Sequence, residues 1–165
     1  MLQDFNICIQ TQFVFGKNAQ NQIGSELKKR GVKRVLIHHD NGEFLYATGL
    51  LESISRNLEK EGISWVELGG VLPNPRLSLV YEGIEIAKKE DVDFVIAIGG
   101  GSVIDSAKAI GLGAVIKVMY GTFFTGAAVP ESSLPVGVIL TCPATGSESS
   151  AVTVVNNTEE GRNYL

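Results

Sequence analysis

The strongest constraint on the fold is one continuous stretch, FVIAIGGGSVIDSAKAIGLG, at residues 94–113. Its first five residues are apolar, as in a strand that is buried on both faces of a parallel sheet. Three glycines follow, and apolar residues then recur at helical spacing over residues 103–110. Ser102 stands where an N-cap is expected, and Asp105 completes the spacing of a capping box. The stretch therefore predicts a buried strand, a glycine turn and a helix that begins at that turn.

A helix that begins directly after a glycine turn can bind an anion. The first N–H groups of such a helix have no backbone partners, and the helix dipole adds partial positive charge there. Glycine carries no Cβ atom, so a phosphate can approach the backbone closely. The alternative is a tight strand-to-helix connection that binds nothing, although a single glycine would suffice for that turn. We therefore predict a phosphate site at Gly99, Gly100, Gly101 and Ser102.

Strands and helices alternate along the rest of the chain. Apolar runs predict further strands at residues 34–39, 63–68, 135–140 and 151–156. Amphipathic stretches predict helices at residues 18–30, with Asn18 as the N-cap, and at 49–61 and 76–89. We also expect a hairpin or two short strands at residues 5–15 and a loop at 113–133. Units of this length predict an α/β fold with a doubly wound, mostly parallel sheet.

Polar residues lie at or just after the carboxyl ends of four predicted strands, and ligands of open parallel sheets bind at that edge. Asp40 could accept hydrogen bonds from both ribose hydroxyls of an adenosine. The alternative is a turn aspartate, because Asp-Asn-Gly is a good turn sequence. Asn74 follows another of these strands. The remaining candidates, Thr141, Thr145 and Ser147, could equally form an ordinary polar loop.

The composition narrows the range of functions. The chain has 165 residues, enough for one domain, and carries 14 basic against 18 acidic residues without a basic cluster, which argues against a nucleic-acid partner. Cys8 and Cys142 are lone, distant thiols, typical of a reducing compartment. The sequence shows neither a secretory signal nor an apolar segment of membrane-spanning length. We therefore expect a soluble cytoplasmic protein with no membrane partner.

The sequence contains no self-contained catalytic or transition-metal site. His38 and His39 are its only histidines, and their side chains point to opposite faces because they are adjacent on a predicted strand. The HExxH, CxxC, GxSxG, GxGxxG and P-loop motifs are all missing. The pattern is that of a phosphate site without visible catalytic machinery.

Three motifs occur in order along the chain: GGVLPNPR at residues 69–76, IAIGGGSVIDSAKAI at 96–110 and LTCPATGSE at 140–148. With these motifs the chain resembles the iron-containing alcohol dehydrogenases, in particular their butanol dehydrogenase branch, over essentially all of its length. The resemblance implies a Rossmann-like, dehydroquinate synthase-like N-terminal domain that binds a nicotinamide cofactor, followed by a helical domain that holds iron or zinc. It also implies reversible hydride transfer between a small-molecule alcohol or aldehyde and that cofactor, and a homodimer that pairs through its N-terminal strands.

The resemblance also assigns roles to the candidate residues. The segment Gly99–Ser102 corresponds to the family's pyrophosphate loop, and Asp105 to the acid at the start of the following helix. Asn74 corresponds to the asparagine of a proline-flanked turn. The second cofactor loop corresponds to Thr141, Thr145 and Ser147.

The cofactor preference depends on Asp40. Butanol dehydrogenases of this branch often carry a run of glycines at this position, which leaves room for the phosphate of NADP, whereas members with an aspartate favour NAD. We therefore expect NAD, with NADP as the alternative.

By the same resemblance, residues 1–165 correspond to the N-terminal cofactor-binding domain alone. The family's metal ligands, one aspartate and three histidines, lie in the sequence beyond the position of Leu165. We therefore expect this chain by itself to bind NAD(H) weakly and to turn nothing over, with the C-terminal metal-binding domain absent. The rival hypothesis is a non-catalytic nucleotide-binding or interaction module derived from the family. A third is another branch, such as glycerol dehydrogenase or dehydroquinate synthase, against which the LTCPATGSE motif argues.

Overall fold

The computed structural model describes residues 11–116, 132–157 and 162–164, the last three and Asn157 by their backbone alone. Its elements in chain order are a 3-10 turn Ala19–Gln22, α1 Ile23–Lys29, β1 Arg34–His39, α2 Glu43–Ala47, α3 Leu50–Lys60, β2 Ser64–Leu68, α4 Leu77–Lys89, β3 Phe94–Gly99, α5 Gly101–Val115, β4 Val136–Leu140, a 3-10 turn Ser147–Ser149, β5 Val155–Asn157 and β6 Arg162–Tyr164.

Four of the strands form one parallel sheet in the order β2-β1-β3-β4, while β5 and β6 form a separate antiparallel pair. The register aligns His39 with Ile98 and Gly99 with Leu140. The loops after β1, β3 and β4 therefore begin side by side at one edge of the sheet. This arrangement confirms the predicted doubly wound, parallel α/β fold.

Helices cover both faces of the sheet, because successive strand residues point to opposite sides. Leu36 of β1 packs with Val80 of α4 and Ile104 of α5 in one hydrophobic cluster. Ile37 packs with Ile54 of α3 in the cluster on the other face. Strand β3 is buried along its whole length, as its continuous apolar run predicted. Among the described residues, no helix has both the length and the apolar character needed to cross a membrane.

The boundaries of most elements agree with the sequence patterns, with four differences. The strand predicted at residues 151–156 is reduced to β5, Val155–Asn157, which pairs with β6 outside the parallel sheet. Helix α2 was not predicted, because five residues carry too little periodicity to be recognised. The loop predicted at residues 113–133 begins inside α5, and residues 117–131 of it lie outside the described residues. Of the hairpin predicted at residues 5–15, residues 5–10 lie outside the described residues and residues 11–15 contain no strand.

Two predicted helix caps make no capping bond. Asn18 is the N-cap residue of the 3-10 turn Ala19–Gln22, but it has a left-handed backbone with φ of 60° and makes no side-chain capping bond. Helix α5 begins at Gly101 with the extended Gly100 as its N-cap, so Ser102 is its second residue and the predicted capping box is absent. The side chains of Ser102 and Asp105 instead bond to residues that are distant in sequence.

Candidate functional site

A cleft of about 230 Å³ opens at the carboxyl edge of the parallel sheet. Four loops meet there, as the strand order and register require. Its lining residues are Asp40 after β1, Val71, Leu72 and Pro73 after β2, Gly100, Gly101, Ser102 and Val103 at the start of α5, and Thr141 and Cys142 after β4. Of the residues predicted as a site, the cleft is lined by Asp40, Gly100, Gly101, Ser102 and Thr141. The sequence reasoning missed Val71, Leu72 and Cys142, although they belong to the GGVLPNPR and LTCPATGSE motifs.

The glycine turn between β3 and α5 is close-packed on one side and open on the other. A Cβ atom on Gly99 would lie 2.5 Å from Cγ2 of Val103, so a larger residue would push α5 away from its strand. A Cβ on Gly100 would instead find its nearest atoms, on Cys142, at an ordinary 3.6 Å. The backbone at Gly100 thus borders the cleft, directly before the first N–H groups of α5, which lack helical acceptors.

The proline-flanked turn after β2 is connected to the start of α5. The N–H group of Asn74 donates a hydrogen bond of 3.3 Å to Oγ of Ser102. On the far side of the turn, the carbonyl oxygen of the buried Pro75 accepts a bond of 2.8 Å from the N–H group of Asn156. Both predicted residues, Asn74 and Ser102, therefore lie together at the rim of the cleft.

Asp40 has the turn role that the sequence offered, and it also borders the cleft. Its Oδ1 accepts a hydrogen bond of 3.0 Å from the N–H group of Gly42, which is the turn role. The half-buried residue also lines the cleft, where a ribose-binding carboxylate is expected. Behind it, His39 bonds through Nδ1 to the carbonyl oxygen of Asp40 and lies 3.1 Å through Nε2 from Oε1 of Glu67.

Two of the predicted cofactor residues bind each other. Oδ1 of Asp105 accepts a hydrogen bond of 2.5 Å from Oγ of Ser147, and Oδ2 accepts one of 3.2 Å from the N–H group of Val154. Neither Asp105 nor Ser147 lines the cleft. Thr145 lies nearer to it, since its Oγ1 would be 3.2 Å from a Cβ atom on Gly101. The structure thus groups Asp105 and Ser147 beside the cleft rather than within it.

The comparison with known families agrees with this geometry. The family model described as iron-containing alcohol dehydrogenase matches residues 10–165. The chain belongs to this family. The match confirms the resemblance that the three motifs indicated.

The chain is 38% identical to the probable NADH-dependent butanol dehydrogenase 1 of Bacillus subtilis over 163 residues, which are 99% of this chain and 42% of that protein. It is 39% identical to the NADH-dependent butanol dehydrogenase A of Clostridium acetobutylicum over 155 residues, 94% of this chain and 39% of that protein. The crystal structure of NADH-dependent butanol dehydrogenase A from Thermotoga maritima superimposes with a TM-score of 0.93 at 39% identity, covering 98% of this chain and 40% of that one. The chain thus spans about two fifths of the length of these relatives.

The name of the iron-containing alcohol dehydrogenase family implies a metal ion, and the described residues do not fit one. In residues 11–116 and 132–157, no three His, Cys, Asp or Glu side chains lie together as metal ligands. His38 bonds to Leu68 and Ser106 on one face of the sheet, and His39 to Glu67 on the other, as their adjacency predicted.

The nicotinamide dinucleotide that these dehydrogenases use does fit the described residues. A Cβ at Gly100 would project beside Cys142, so glycine leaves that part of the cleft to a ligand. The N-terminus of the 15-residue α5 supplies N–H groups and partial positive charge for a pyrophosphate. Asp40 places a carboxylate, a hydrogen-bond acceptor, on the neighbouring loop of the same cleft.

The sequence reasoning also missed Lys108, which lies beside the cleft with Asp105 and Ser147. Its Nζ lies 3.4 Å from Oδ1 of Asp105 and donates hydrogen bonds to carbonyl oxygens of the segment that contains Ser147. Burial is the main cause that lowers the pKa of Lys108, while the Asp105 carboxylate acts in the opposite direction. The spacing of three residues between Asp105 and Lys108 on one helix was the available signal.

Proposed function

We propose that this chain binds NAD(H) in the cleft at the carboxyl edge of its sheet, as the cofactor-binding part of an alcohol dehydrogenase. The reaction is reversible hydride transfer between the nicotinamide and a primary alcohol or aldehyde of the butanol class. The observation that carries the proposal is the open glycine turn at Gly100, which shares one cleft with Asp40 and Thr141. The names of the relatives, NADH-dependent butanol dehydrogenases, support both the cofactor and the substrate class.

Each group of the cleft has a part in holding the cofactor. The N–H groups at Gly101 and Ser102 bind the pyrophosphate at the N-terminus of α5. The carboxylate of Asp40 accepts the ribose hydroxyls and repels a 2′-phosphate, so NADH is preferred over NADPH. Thr141 and Thr145 supply hydroxyls on the facing loop, and Asn74 secures Ser102. The cofactor itself carries the hydride chemistry.

The metal belongs to the whole enzyme rather than to these residues. In the proposal, a helical domain outside residues 1–165 would hold the iron or zinc, and the metal would supply Lewis-acid polarisation of the substrate oxygen. Residues 1–165 alone then bind NADH without oxidising butanol. An activity assay with added ferrous iron or zinc tests this point, and turnover by the 165-residue chain would contradict it.

The cofactor site is tested by isothermal titration of the purified chain with NADH and NADPH, using two substitutions at Gly100. Aspartate and asparagine are both good N-cap residues, and Gly100 has φ of −98°, which any residue adopts. Neither Gly100→Asp nor Gly100→Asn should therefore destabilise the fold. Only Gly100→Asp places a negative charge where the pyrophosphate binds.

We expect the wild-type chain to bind NADH more tightly than NADPH. Gly100→Asp should abolish binding of both, while Gly100→Asn should retain part of it. Tighter binding of NADPH would contradict the role of Asp40 and leave the phosphate site standing. Equal affinities of the wild-type chain and Gly100→Asp would contradict the site itself.

Two further expectations extend the proposal to the assembly. Two copies pair through the N-terminal segment, where Phe13 and Phe15 expose 65% and 102% of their surface. Light scattering should give a dimer for the wild-type chain and a smaller dimer fraction for Phe13→Ser with Phe15→Ser. A cytoplasmic location stays a prediction from the sequence.

A further inference from the structure

Lys108 binds a segment that is distant in sequence and follows β4. Its Nζ lies 3.1 Å from the carbonyl oxygen of Ser147 and 3.2 Å from that of Ser150, and it also donates to the carbonyl oxygen of Val152. An ammonium group has three hydrogens to donate and no acceptor. Its donors are therefore all directed at one short stretch of backbone.

Asp105, one helical turn earlier, binds the same stretch with its acceptors. Its carboxylate accepts the Ser147 hydroxyl through Oδ1 and the Val154 N–H group through Oδ2. Its backbone carbonyl oxygen accepts the Thr153 hydroxyl at 2.6 Å. Together, Asp105 and Lys108 hold both the donors and the acceptors of residues 147–154 against α5.

The two charged side chains are largely withdrawn from water. The side chain of Lys108 is 17% exposed and that of Asp105 is 16% exposed, and they lie 3.4 Å apart. A charge buried to this degree is tolerated because it is paired and hydrogen-bonded. Removal of either partner leaves the other charge uncompensated, so the attachment should depend on both.

The attached segment directly continues the loop that lines the cofactor cleft. Residues 141–146 are held at one end by the hydrogen bond of 3.1 Å from the Thr141 N–H group to the Gly99 carbonyl oxygen. At the other end, Ser147 is the first residue bound by Asp105 and Lys108. Thr145 lies between these two points, with its Oγ1 3.2 Å from the position that a Cβ atom on Gly101 would take. The position of the cleft wall therefore depends on an attachment outside the cleft.

We propose that Lys108 and Asp105 are positioning residues, which clamp residues 147–154 to α5 and thereby hold the loop 141–146 closed over the cofactor. The inference rests on the proposed function of the cleft. It assigns Asp105 to the loop rather than to direct contact with the dinucleotide.

The clamp is tested through the reactivity of Cys142, the exposed thiol of that loop. In a Cys8→Ser background, alkylation by iodoacetamide then reports on Cys142 alone. We expect Lys108→Met to accelerate alkylation at least threefold and to weaken NADH binding about tenfold, while circular dichroism shows that the chain remains folded. The matched control is Lys60→Met, at the exposed end of α3, which should change neither quantity.

A rescue experiment separates positioning from a general loss of stability. Lys108→Ala deletes the equivalent of a propylammonium ion, and it leaves three carbonyl oxygens and the Asp105 carboxylate around the space. Millimolar n-propylammonium should restore slow alkylation and NADH affinity. Tetramethylammonium has no N–H donor and should restore neither.

Unchanged alkylation and NADH affinity in Lys108→Met would overturn the clamp, and so would an accelerated alkylation that propylammonium fails to reverse. A wild-type chain that binds no NADH would count against the proposed function instead. The alkylation rates would still test the clamp in that case, because they are measured without the cofactor.

Discussion

The hydroxyl of Ser106, on α5, donates a hydrogen bond of 2.8 Å to Nε2 of His38, on β1. The direction follows from the other ring nitrogen, because Nδ1 lies 2.8 Å from the carbonyl oxygen of Leu68, which can only accept. A neutral imidazole satisfies both contacts. His38 and Ser106 are both fully buried. Their hydrogen bond connects α5, which begins at the glycine turn, with β1, which ends directly before Asp40.

The free energy of unfolding should therefore decrease as the pH is lowered, over a pH range set by the pKa of His38. Burial lowers the pKa of His38 from 6.5 to about 4. The unfolded chain binds a proton below pH 6.5 and the folded chain does not, so the stabilisation is complete above pH 6.5 and is lost as the pH falls toward 4. The full loss is about 3 kcal/mol, from the depressed pKa. Urea unfolding at pH 7 and 4.5 should show a steeper pH dependence for the wild-type chain than for His38→Gln, and equal slopes would contradict the prediction.

Asp40→Asn should shift the cofactor preference without opening the turn. Asparagine retains a side-chain oxygen for the Gly42 N–H group, so only the negative charge is lost. We expect the ratio of NADPH to NADH dissociation constants to fall about tenfold, equivalent to about 1.4 kcal/mol. Titration of both cofactors measures it. Asp91→Asn, in the exposed turn before β3 at the opposite end of the sheet, is the control, and an unchanged ratio in Asp40→Asn would exclude a charge effect.

Bound NADH should protect Cys142 from alkylation. The thiol is exposed and lines the cleft beside Gly100, so a dinucleotide in that cleft covers it. In the Cys8→Ser background, saturating NADH should slow the reaction with iodoacetamide at least fivefold, as followed by mass spectrometry. Gly100→Asp should react at the same rate with and without NADH. If NADH does not slow alkylation of Cys142 in the chain that retains Gly100, the cofactor binds elsewhere.

Two helical glycines should differ in their tolerance of alanine. A Cβ on Gly24 would lie 2.2 Å from the backbone oxygen of Asn57 on α3. A Cβ on Gly83 would instead meet side-chain atoms of Ile110, Cδ1 at 2.4 Å and Cγ1 at 2.7 Å, which can move more easily than backbone. Helix propensity favours alanine by about 1 kcal/mol at both sites. The difference between the two changes in unfolding free energy therefore reports the steric clash of the added Cβ atom. We expect Gly24→Ala to cost about 1–3 kcal/mol and Gly83→Ala to cost less. Urea unfolding measures both, and the reverse order would contradict the packing.

The elements of this fold could be predicted because they are recorded in local patterns. The continuous apolar run of β3 predicted its burial, and the change to helical spacing after Gly101 predicted α5. The adjacency of His38 and His39 predicted their opposite faces, because side chains alternate along a strand. Parallel strands then required the loops at Asp40 and Gly100 to meet at one edge of the sheet.

The roles of individual polar side chains could not be predicted in this way. Ser102 and Asp105 have the spacing of a capping box, yet their side chains bond to Asn74 and Ser147, 28 and 42 positions away in the sequence. Lys108 gave no stronger signal than any helical lysine near an acid, and its three carbonyl partners come from the segment after β4.

The sequence by itself therefore determined the alternation of strands and helices, the glycine turn and the edge of the sheet at which the loops meet. Only the tertiary structure decided which polar groups border the cleft and which are used to hold its walls. The physical reason is that periodicity and turn preferences act over a few residues. A hydrogen-bonding side chain is instead taken by whichever partner the folded backbone brings within about 3 Å.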